Sequence, residues 1–284
     1  MMEAFSGEKI AIIGHLHGLF RHDVDTSDVR KKVLDAIKSQ SPKAVFFLGD
    51  FVHGHSEKPW IEVNKFVEEL GVPAYFSPGN HDYDPSGRLT LWAPYRELVE
   101  HRNRKVVMGN RTILLFDSHS FDDETKNFIE SNVPNIDERS IIMTHYRIWN
   151  QEKVWSYLDQ VGLLKSKPLV MAGNSRYDGS GCSVDYINDI WCYHIGMGGI
   201  EKGAASFTTF DLDTEKLYPH IVDISNSSFV KYRQNKSQPN MSIRKWFGYG
   251  ASLRRVAMAM AGCFLAGLVI MFAIGKAIQH VQKA

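Results

Sequence analysis

The sequence repeatedly alternates short apolar segments, rich in β-branched or aromatic residues, with longer amphipathic segments. The apolar segments are KIAIIG, AVFFLG, PAYFSP, TILLFDS, SIIMTH, PLVMAG and DIWCYHIG. Nearly continuous apolar runs of this length are typical of strands that other layers cover on both faces. The chain is therefore predicted to contain a layered α/β domain.

Local patterns between these segments predict a helix and two hairpins. Ser27 is placed to cap a helix. Val29, Val33 and Ile37 then recur every four residues and so share one helical face. The pair Gly109-Asn110 separates two strand-like segments and predicts a hairpin turn. Further along, SFTTFDLD and KLYPHIVDI predict another antiparallel pair.

A stretch of about twenty residues without a charge, 256–275, lies close to the C-terminus. At a rise of about 1.5 Å per residue it is long enough for a hydrocarbon core of about 30 Å, and it has no polar face. We predict one transmembrane helix over residues 254–278, followed by a short tail at 279–284. This helix would be a single-pass C-terminal anchor, and its small residues leave homodimerisation in the membrane open.

The charges around this stretch predict its orientation. Basic residues are more numerous before it than after it. They are Arg244, Lys245, Arg254 and Arg255 before the span, and Lys276 and Lys283 after it. By the positive-inside tendency, the large N-terminal domain is expected to face the cytoplasm. The first residues, MMEAFSGEKI, lack the apolar core of a secretory signal peptide.

The composition also divides the chain. Residues 1–224 are predicted to form the folded domain, and residues 225–253, which begin rich in Ser, Asn and Gln, a linker and juxtamembrane segment. The formal net charge is +1, and the densest positive charge lies beside the apolar span, so no nucleic-acid partner is expected.

Polar clusters follow five of the predicted strands. They are Gly14-His15-Leu16-His17-Gly18, Gly49-Asp50, Gly79-Asn80-His81-Asp82, Thr144-His145 and Gly173-Asn174-Ser175-Arg176. Functional residues of open α/β sheets gather beyond the carboxyl ends of the strands. His, Asp and Asn suit borderline divalent metals such as Mn, Fe or Zn. Two such ions close together are a common device for activating water in phosphoryl chemistry. The clusters therefore predict a metal site.

In their order along the chain, GHLHG, GD, GNHD, TH and GNSR resemble the five motifs of the calcineurin-like metallophosphoesterases. Those motifs read D-x-H, G-D, G-N-H-D/E, H and G-H-x-H. The resemblance covers about Lys9 to Asp223 and implies a four-layer αββα sandwich. It also implies one or two divalent ions and the attack of metal-activated water on a phosphate ester.

The resemblance also implies roles for individual residues. Asp50 would bridge two metal ions. His15 and His17 would complete the first site. Asn80 and His145, with Asn174 as a further ligand, would complete the second.

Catalytic roles follow from the same resemblance. His81 would donate a proton to the leaving oxygen or hold the phosphate, and Asp82 would orient His81 by a hydrogen bond. Arg176 has no lone pair to offer a metal, because its guanidinium stays protonated. It would either bind a phosphate oxygen in place of the first metal or neutralise Asp50 in an inactive site.

The sequence departs from the family pattern at three positions. His15 stands where the family has Asp, and Asn174 and Arg176 stand where the last motif has its two histidines. His53 and His55, just after the second cluster, are candidates for replacement ligands. The first metal site is therefore expected to be impaired and the second nearly whole.

Two functions remain open at this point. The first is a membrane-anchored, metal-dependent phosphoesterase that hydrolyses a phosphomonoester, phosphodiester or pyrophosphate, lipid-linked esters included. The alternative is a weak or inactive pseudophosphoesterase that acts as a membrane-tethered binding or scaffold module.

Overall fold

The computed structural model describes residues 8–21, 23–52, 57–83, 102–174, 182–197, 200 and 203–231. They belong to the first of the two units into which the chain divides, Met1–Tyr232. The predicted site residue Arg176, the candidates His53 and His55, and the predicted membrane span at 254–278 lie outside the described residues. Within the described part of the chain, no helix is long and apolar enough to cross a membrane.

Eleven strands and four α-helices of nine or more residues are formed by the described residues. The strands are β1 (Lys9–Gly14), β2 (Ala44–Leu48), β3 (Ala74–Ser77), β4 (Arg104–Met108), β5 (Arg111–Leu115), β6 (Ile141–Thr144), β7 (Leu169–Ala172), β8 (Cys182–Ile187), β9 (Ile190–Ile195), β10 (Ala204–Asp211) and β11 (Leu217–Asp223). The helices are α1 (Ser27–Ser39), α2 (Glu57–Leu70), α3 (Asp123–Asn132) and α4 (Glu152–Gln160).

These strands form two sheets. The first has the order β11-β10-β1-β2-β3, and β1, β2 and β3 run parallel. The second has the order β4-β5-β6-β7-β9-β8, with a parallel centre and antiparallel strands at both edges. Both predicted hairpins are present: Met108 pairs with Arg111 across the first turn, and β10 pairs with β11.

Three apolar cores separate four layers. Helices α1 and α2 pack on the outer face of the first sheet, where Val29, Val33 and Ile37 are buried. The inner faces of the two sheets pack against each other. Helices α3 and α4 cover the outer face of the second sheet. The mixed α/β sandwich predicted from the sequence is thus confirmed, with the layer order αββα.

The burial of β2 explains why its sequence shows no alternation of apolar and polar residues. Phe46 points into the core between the sheets, and its neighbours Val45 and Phe47 point towards the helices. All three are at most 1% exposed. A strand covered on both faces must be apolar throughout.

The C-terminal end of the domain continues past residue 224, where the sequence analysis placed the boundary. Phe229 and Val230 are 1% and 3% exposed and belong to the core beneath α1 and α2. The Ser/Asn/Gln-rich composition of this region predicted a linker because such residues favour turns and loops, but Phe229 and Val230 pack into the core.

Arg111, at the start of β5, is a buried arginine that joins the two sheets. Only 2% of it is exposed. Its Nε donates to the Leu212 carbonyl at 2.6 Å and its Nη1 to the Arg139 carbonyl at 2.9 Å, while Nη2 pairs with the Glu215 carboxylate. Leu212 and Glu215 follow β10 in the first sheet, whereas Arg111 belongs to the second. The side chain therefore fastens the sheets at the amino end of β5.

We expect Arg111→Met to lower the free energy of unfolding by about 2–4 kcal/mol, because the carbonyls of Leu212 and Arg139 lose the donor that a buried side chain supplies. Urea unfolding followed by tryptophan fluorescence measures the change. Lys167→Met, which removes an exposed pair with Asp189, serves as the control and should leave the unfolding midpoint nearly unchanged. An unchanged midpoint in Arg111→Met would show that this residue does not fasten the sheets.

Candidate metal centre

The two sheets meet closely where their central strands end. A Cβ atom on Gly14, at the end of β1, would lie 2.3 Å from the carbonyl oxygen of Gly173, just after β7. Only glycine permits this approach. Because the strands of both sheets end at this contact, the polar residues that follow them converge from both sides.

Asp50 lies at the centre of this convergence. Its backbone has φ 56°, in the left-handed region that is unfavourable for residues other than glycine, and the preceding Gly49 has φ 80°. This double turn directs the carboxylate back across the strand ends. The side chain is 1% exposed. A buried carboxylate on a strained backbone at this position indicates a functional residue rather than an ordinary surface aspartate.

His145, just after β6, faces Asp50 from the second sheet. Its Nδ1 lies 2.8 Å from the carbonyl oxygen of Leu48, which can only accept, so Nδ1 carries the proton and Nε2 presents a lone pair. Complete burial lowers the pKa of His145 more than the charge of Asp50 raises it. The ring is therefore a neutral imidazole held in the tautomer that binds metals through Nε2.

The first donor set, which corresponds to the second metal site predicted from the sequence, consists of Asp50 Oδ1, Asn80 Oδ1 and His145 Nε2. The His145 nitrogen lies 3.3 Å from the Asn80 oxygen and 3.4 Å from the Asp50 oxygen. None of the three carries a hydrogen directed at the others, so their lone pairs repel. Two atoms bound to one cation at about 2.1 Å lie roughly 3.0–3.4 Å apart in octahedral or tetrahedral geometry. The set therefore fits a divalent cation.

The second donor set consists of Asp50 Oδ2, His15 and His17. Their ligand atoms lie within 4.8 Å of one another. His15 Nδ1 is 3.0 Å from Asp50 Oδ2, and His15 Nε2 is 3.0 Å from His17 Nε2. The Asp50 Oδ2 atom is buried and makes no well-aligned hydrogen bond. The two carboxylate oxygens of Asp50 thus face different donor sets, which is the geometry a bridging ligand requires.

The surroundings of Asp50 favour its ionised form. Burial alone would raise the pKa of this carboxyl group. The adjacent His15 ring, the charge effect of His145 and the backbone N–H of His81, which donates to Oδ1 at 3.0 Å, together hold its pKa well below the ordinary value. Asp50 is therefore a carboxylate at any physiological pH and is available as a ligand.

The predicted catalytic residues His81 and Asp82 lie in a short 3-10 helix, Asn80–Asp82, after β3. The half-buried His81 ring lies 4.9 Å from the ring of His17, at the edge of the second donor set. The Asp82 carboxylate accepts three backbone N–H groups, from Gly79, Asp50 and Phe51. The sequence did not predict these hydrogen bonds, and the orientation of His81 by Asp82 stays a prediction.

Asn174 is positioned through its backbone. Its N–H donates to the carbonyl of His145 at 2.7 Å, and its own carbonyl accepts from the His194 ring. This arrangement keeps Asn174 beside the first donor set. The described contacts do not join its side chain to the other candidate ligands, so its role as a ligand stays a prediction. His194, which falls near a strand end and was interpreted from the sequence as structural or rim-lining, holds this loop through the Asn174 carbonyl.

An aromatic rim borders the site and was missed from the sequence. Tyr83 directly follows Asp82, and Tyr146 directly follows His145. Their rings lie 4.8 Å and 5.8 Å from the exposed His119 ring, and Tyr146 lies 5.0 Å from the His145 ring. Burial and, secondarily, the charge of Asp50 raise the pKa of Tyr146 to about 12. The position of each tyrosine just after a polar cluster was the available signal.

A family model and one solved structure support the fold. A family model described as calcineurin-like phosphoesterase matches residues 8–201. The crystal structure of a dimetal phosphatase from Danio rerio matches with a TM-score of 0.56 at 12% identity, over 77% of this chain and 99% of that chain. A purple acid phosphatase from yellow lupin (Lupinus luteus) seeds matches with a TM-score of 0.46 at 13% identity, over 77% of this chain and 54% of that chain. No curated protein gives a significant match.

We expect Gly79→Ala to weaken Mn²⁺ binding about tenfold or more, because the site has no room for a side chain there. The new Cβ would lie 2.4 Å from Asp50 Oδ1 and 2.8 Å from His145 Cε1. Isothermal titration calorimetry with Mn²⁺ measures the change. Gly71→Ala is the control, since its Cβ meets nothing within 4 Å even though its φ of 70° strains the backbone. Equal Mn²⁺ affinities in wild type and Gly79→Ala would contradict the proposed centre.

Proposed function

Because this chain belongs to the calcineurin-like phosphoesterase family, we propose that it is a metal-dependent hydrolase of phosphoric esters. The observation that supports the proposal most strongly is the buried carboxylate of Asp50. One of its oxygens faces Asn80 and His145, and the other faces His15. A purely structural aspartate would not need side chains capable of binding a metal on both sides.

The two donor sets define the metal requirement. Asp50, Asn80 and His145 would hold one divalent cation, and Asp50, His15 and His17 would hold another. When bound, such ions supply an activated water and neutralise charge that develops on the phosphate oxygens. Nitrogen and oxygen donors of this kind suit Mn, Fe or Zn.

The two donor sets differ in negative charge, and this difference predicts which of them binds a divalent cation more tightly. His15 stands where the family pattern has an aspartate, so the set with His15 and His17 has only the shared carboxylate of Asp50 as a negative ligand. The set with Asn80 and His145 keeps the family's residues at Asp50, Asn80 and His145, and the Leu48 carbonyl preorganises its His145 ring. We expect the cation in this set to be held more tightly.

His81 is the side chain best placed to act on the substrate. Its ring lies half-buried beside His17, while its backbone N–H is fixed by Asp50. An imidazole held at the edge of the donor sets can give a proton to the leaving oxygen or donate a hydrogen bond to the phosphate. We propose this role for His81. The role of Arg176 as a phosphate ligand is a proposal from the sequence alone.

Residues 254–278 are proposed as a membrane anchor, with the catalytic domain on the cytoplasmic side. The support for this proposal is the uncharged apolar stretch and the basic residues before it. Such an anchor would keep the metal centre near lipid headgroups, which makes lipid-linked phosphates and pyrophosphates natural substrates to test first.

The alternative function is a binding or scaffold module with little hydrolytic activity. It is favoured by the three departures from the family motifs, His15, Asn174 and Arg176. The preserved donor set of Asp50, Asn80 and His145 argues against this alternative. Metal-dependent turnover separates the two functions, because a scaffold has no need of it.

We expect the protein to hydrolyse 4-nitrophenyl phosphate or bis(4-nitrophenyl) phosphate when Mn²⁺ is supplied. Hydrolysis should stop when a chelator removes the metal. Asp50→Asn keeps the shape of the side chain but removes its charge. It should lower kcat/KM by more than the roughly 10- to 100-fold loss that is typical when a residue hydrogen-bonded to a metal ligand is replaced. Release of 4-nitrophenolate measures the rate.

The control for this experiment is Asp122→Asn, which removes a carboxylate that caps α3 through Thr125. It should leave turnover unchanged. Turnover that persists in Asp50→Asn, or in the presence of a chelator, would contradict the metalloenzyme proposal. The absence of turnover with every phosphate ester, despite bound metal, would favour the scaffold function.

A further inference from the structure

The Asp82 carboxylate connects two loops of the site. It is 1% exposed and both of its oxygens are used. Oδ2 accepts the backbone N–H of Gly79 at 2.8 Å and that of Asp50 at 2.9 Å, and Oδ1 accepts the N–H of Phe51 at 2.8 Å. Two of these three donors belong to the turn that carries Asp50, which follows a different strand.

The connection is reciprocal. While the Asp82 carboxylate binds the backbone of Asp50, the Asp50 carboxylate binds the backbone N–H next to Asp82, that of His81, at 3.0 Å. Each loop therefore fixes the other. The turn at Asp50 needs such support, because its φ of 56° is unfavourable for a residue with a side chain.

We propose that Asp82 is a positioning residue for the metal ligand Asp50: it holds the left-handed turn that directs the Asp50 carboxylate between the two donor sets. This inference rests on the proposed metal centre and assigns Asp82 a task other than the orientation of His81. Loss of the Asp82 carboxylate would release the turn, so that Asp50 could return to an unstrained backbone conformation and leave the donor sets.

The hydrogen-bond pattern predicts an order among variants. Asp82→Ala removes all three acceptor contacts. Asp82→Asn keeps one oxygen, which can retain the two bonds to Gly79 and Asp50, but it places amide hydrogens opposite the N–H of Phe51. Support for the turn should therefore decrease from wild type to Asp82→Asn to Asp82→Ala.

The experiment is a calorimetric titration of the full chain with Mn²⁺, without substrate and well below the melting temperature. Residues that orient a metal ligand change metal affinity by about 10- to 100-fold. We expect the Mn²⁺ affinity of Asp82→Ala to be about 10- to 100-fold lower than that of wild type. The affinity of Asp82→Asn should lie between those of wild type and Asp82→Ala. His81→Ala keeps its backbone N–H and should lose far less affinity.

The matched control is Asp211→Ala. Asp211 is also 1% exposed, and its Oδ1 accepts two backbone N–H groups, from Asp213 at 3.1 Å and Thr214 at 2.8 Å. It is the last residue of β10 and pairs with Lys9 at the start of β1, at the opposite end of that strand from the donor sets. Asp211→Ala should lower the melting temperature while Mn²⁺ affinity stays at the wild-type value.

The outcomes separate this inference from the proposed function. Wild-type affinity in Asp82→Ala, or equal losses in Asp82→Ala and Asp211→Ala, would overturn the positioning role. If Asp82→Ala fails to fold, an affinity of Asp82→Asn equal to that of wild type would overturn it. Metal binding that follows the predicted order without any turnover would support the positioning role while contradicting the hydrolase proposal. A wild-type chain that binds no Mn²⁺ would overturn both.

Discussion

The burial of one carboxylate, that of Asp50, is the constraint on which the site depends. The carboxylate is placed by a left-handed turn at the end of β2, and it needs partners on every side because it is almost fully removed from water. The backbone N–H of His81 and the His15 ring face its oxygens directly, whereas His145 Nε2 presents a lone pair 3.4 Å from Oδ1 and leaves this side for a cation. The close contact of the two sheets at Gly14 and Gly173 brings these partners within reach of a single side chain.

A second buried carboxylate makes this arrangement electrostatically demanding. Burial, and then the negative charge of Asp50, raise the pKa of Asp82, although three backbone N–H groups act in the opposite direction. Two acids so close together are stabilised by any positive charge near Asp50. The neutral His145 ring, the Asn80 amide oxygen and the Asp50 carboxylate leave a position for such a charge between them. A divalent cation there would reduce both the repulsion between the two acids and the repulsion between the lone pairs.

Much of the fold could be predicted from the sequence, because strands covered on both faces must be continuously apolar and therefore stand out. The five polar clusters were also visible, since each follows such a strand. The partners of Asp82 were not, because they are backbone groups whose positions depend on the turn at Asp50. The buried position of Arg111 was not visible either, because its partners Arg139, Leu212 and Glu215 lie far from it in the sequence.

The most direct test of the metal centre is a crystal structure of the protein grown with Mn²⁺, with anomalous scattering used to locate the ions. We expect an anomalous peak within coordination distance of Asp50 Oδ1, Asn80 Oδ1 and His145 Nε2. A fully occupied second peak on the side of His15 and His17 would show that His15 serves as a ligand in place of the family aspartate. Ordered side chains around Asp50 without any anomalous peak would contradict the metal centre.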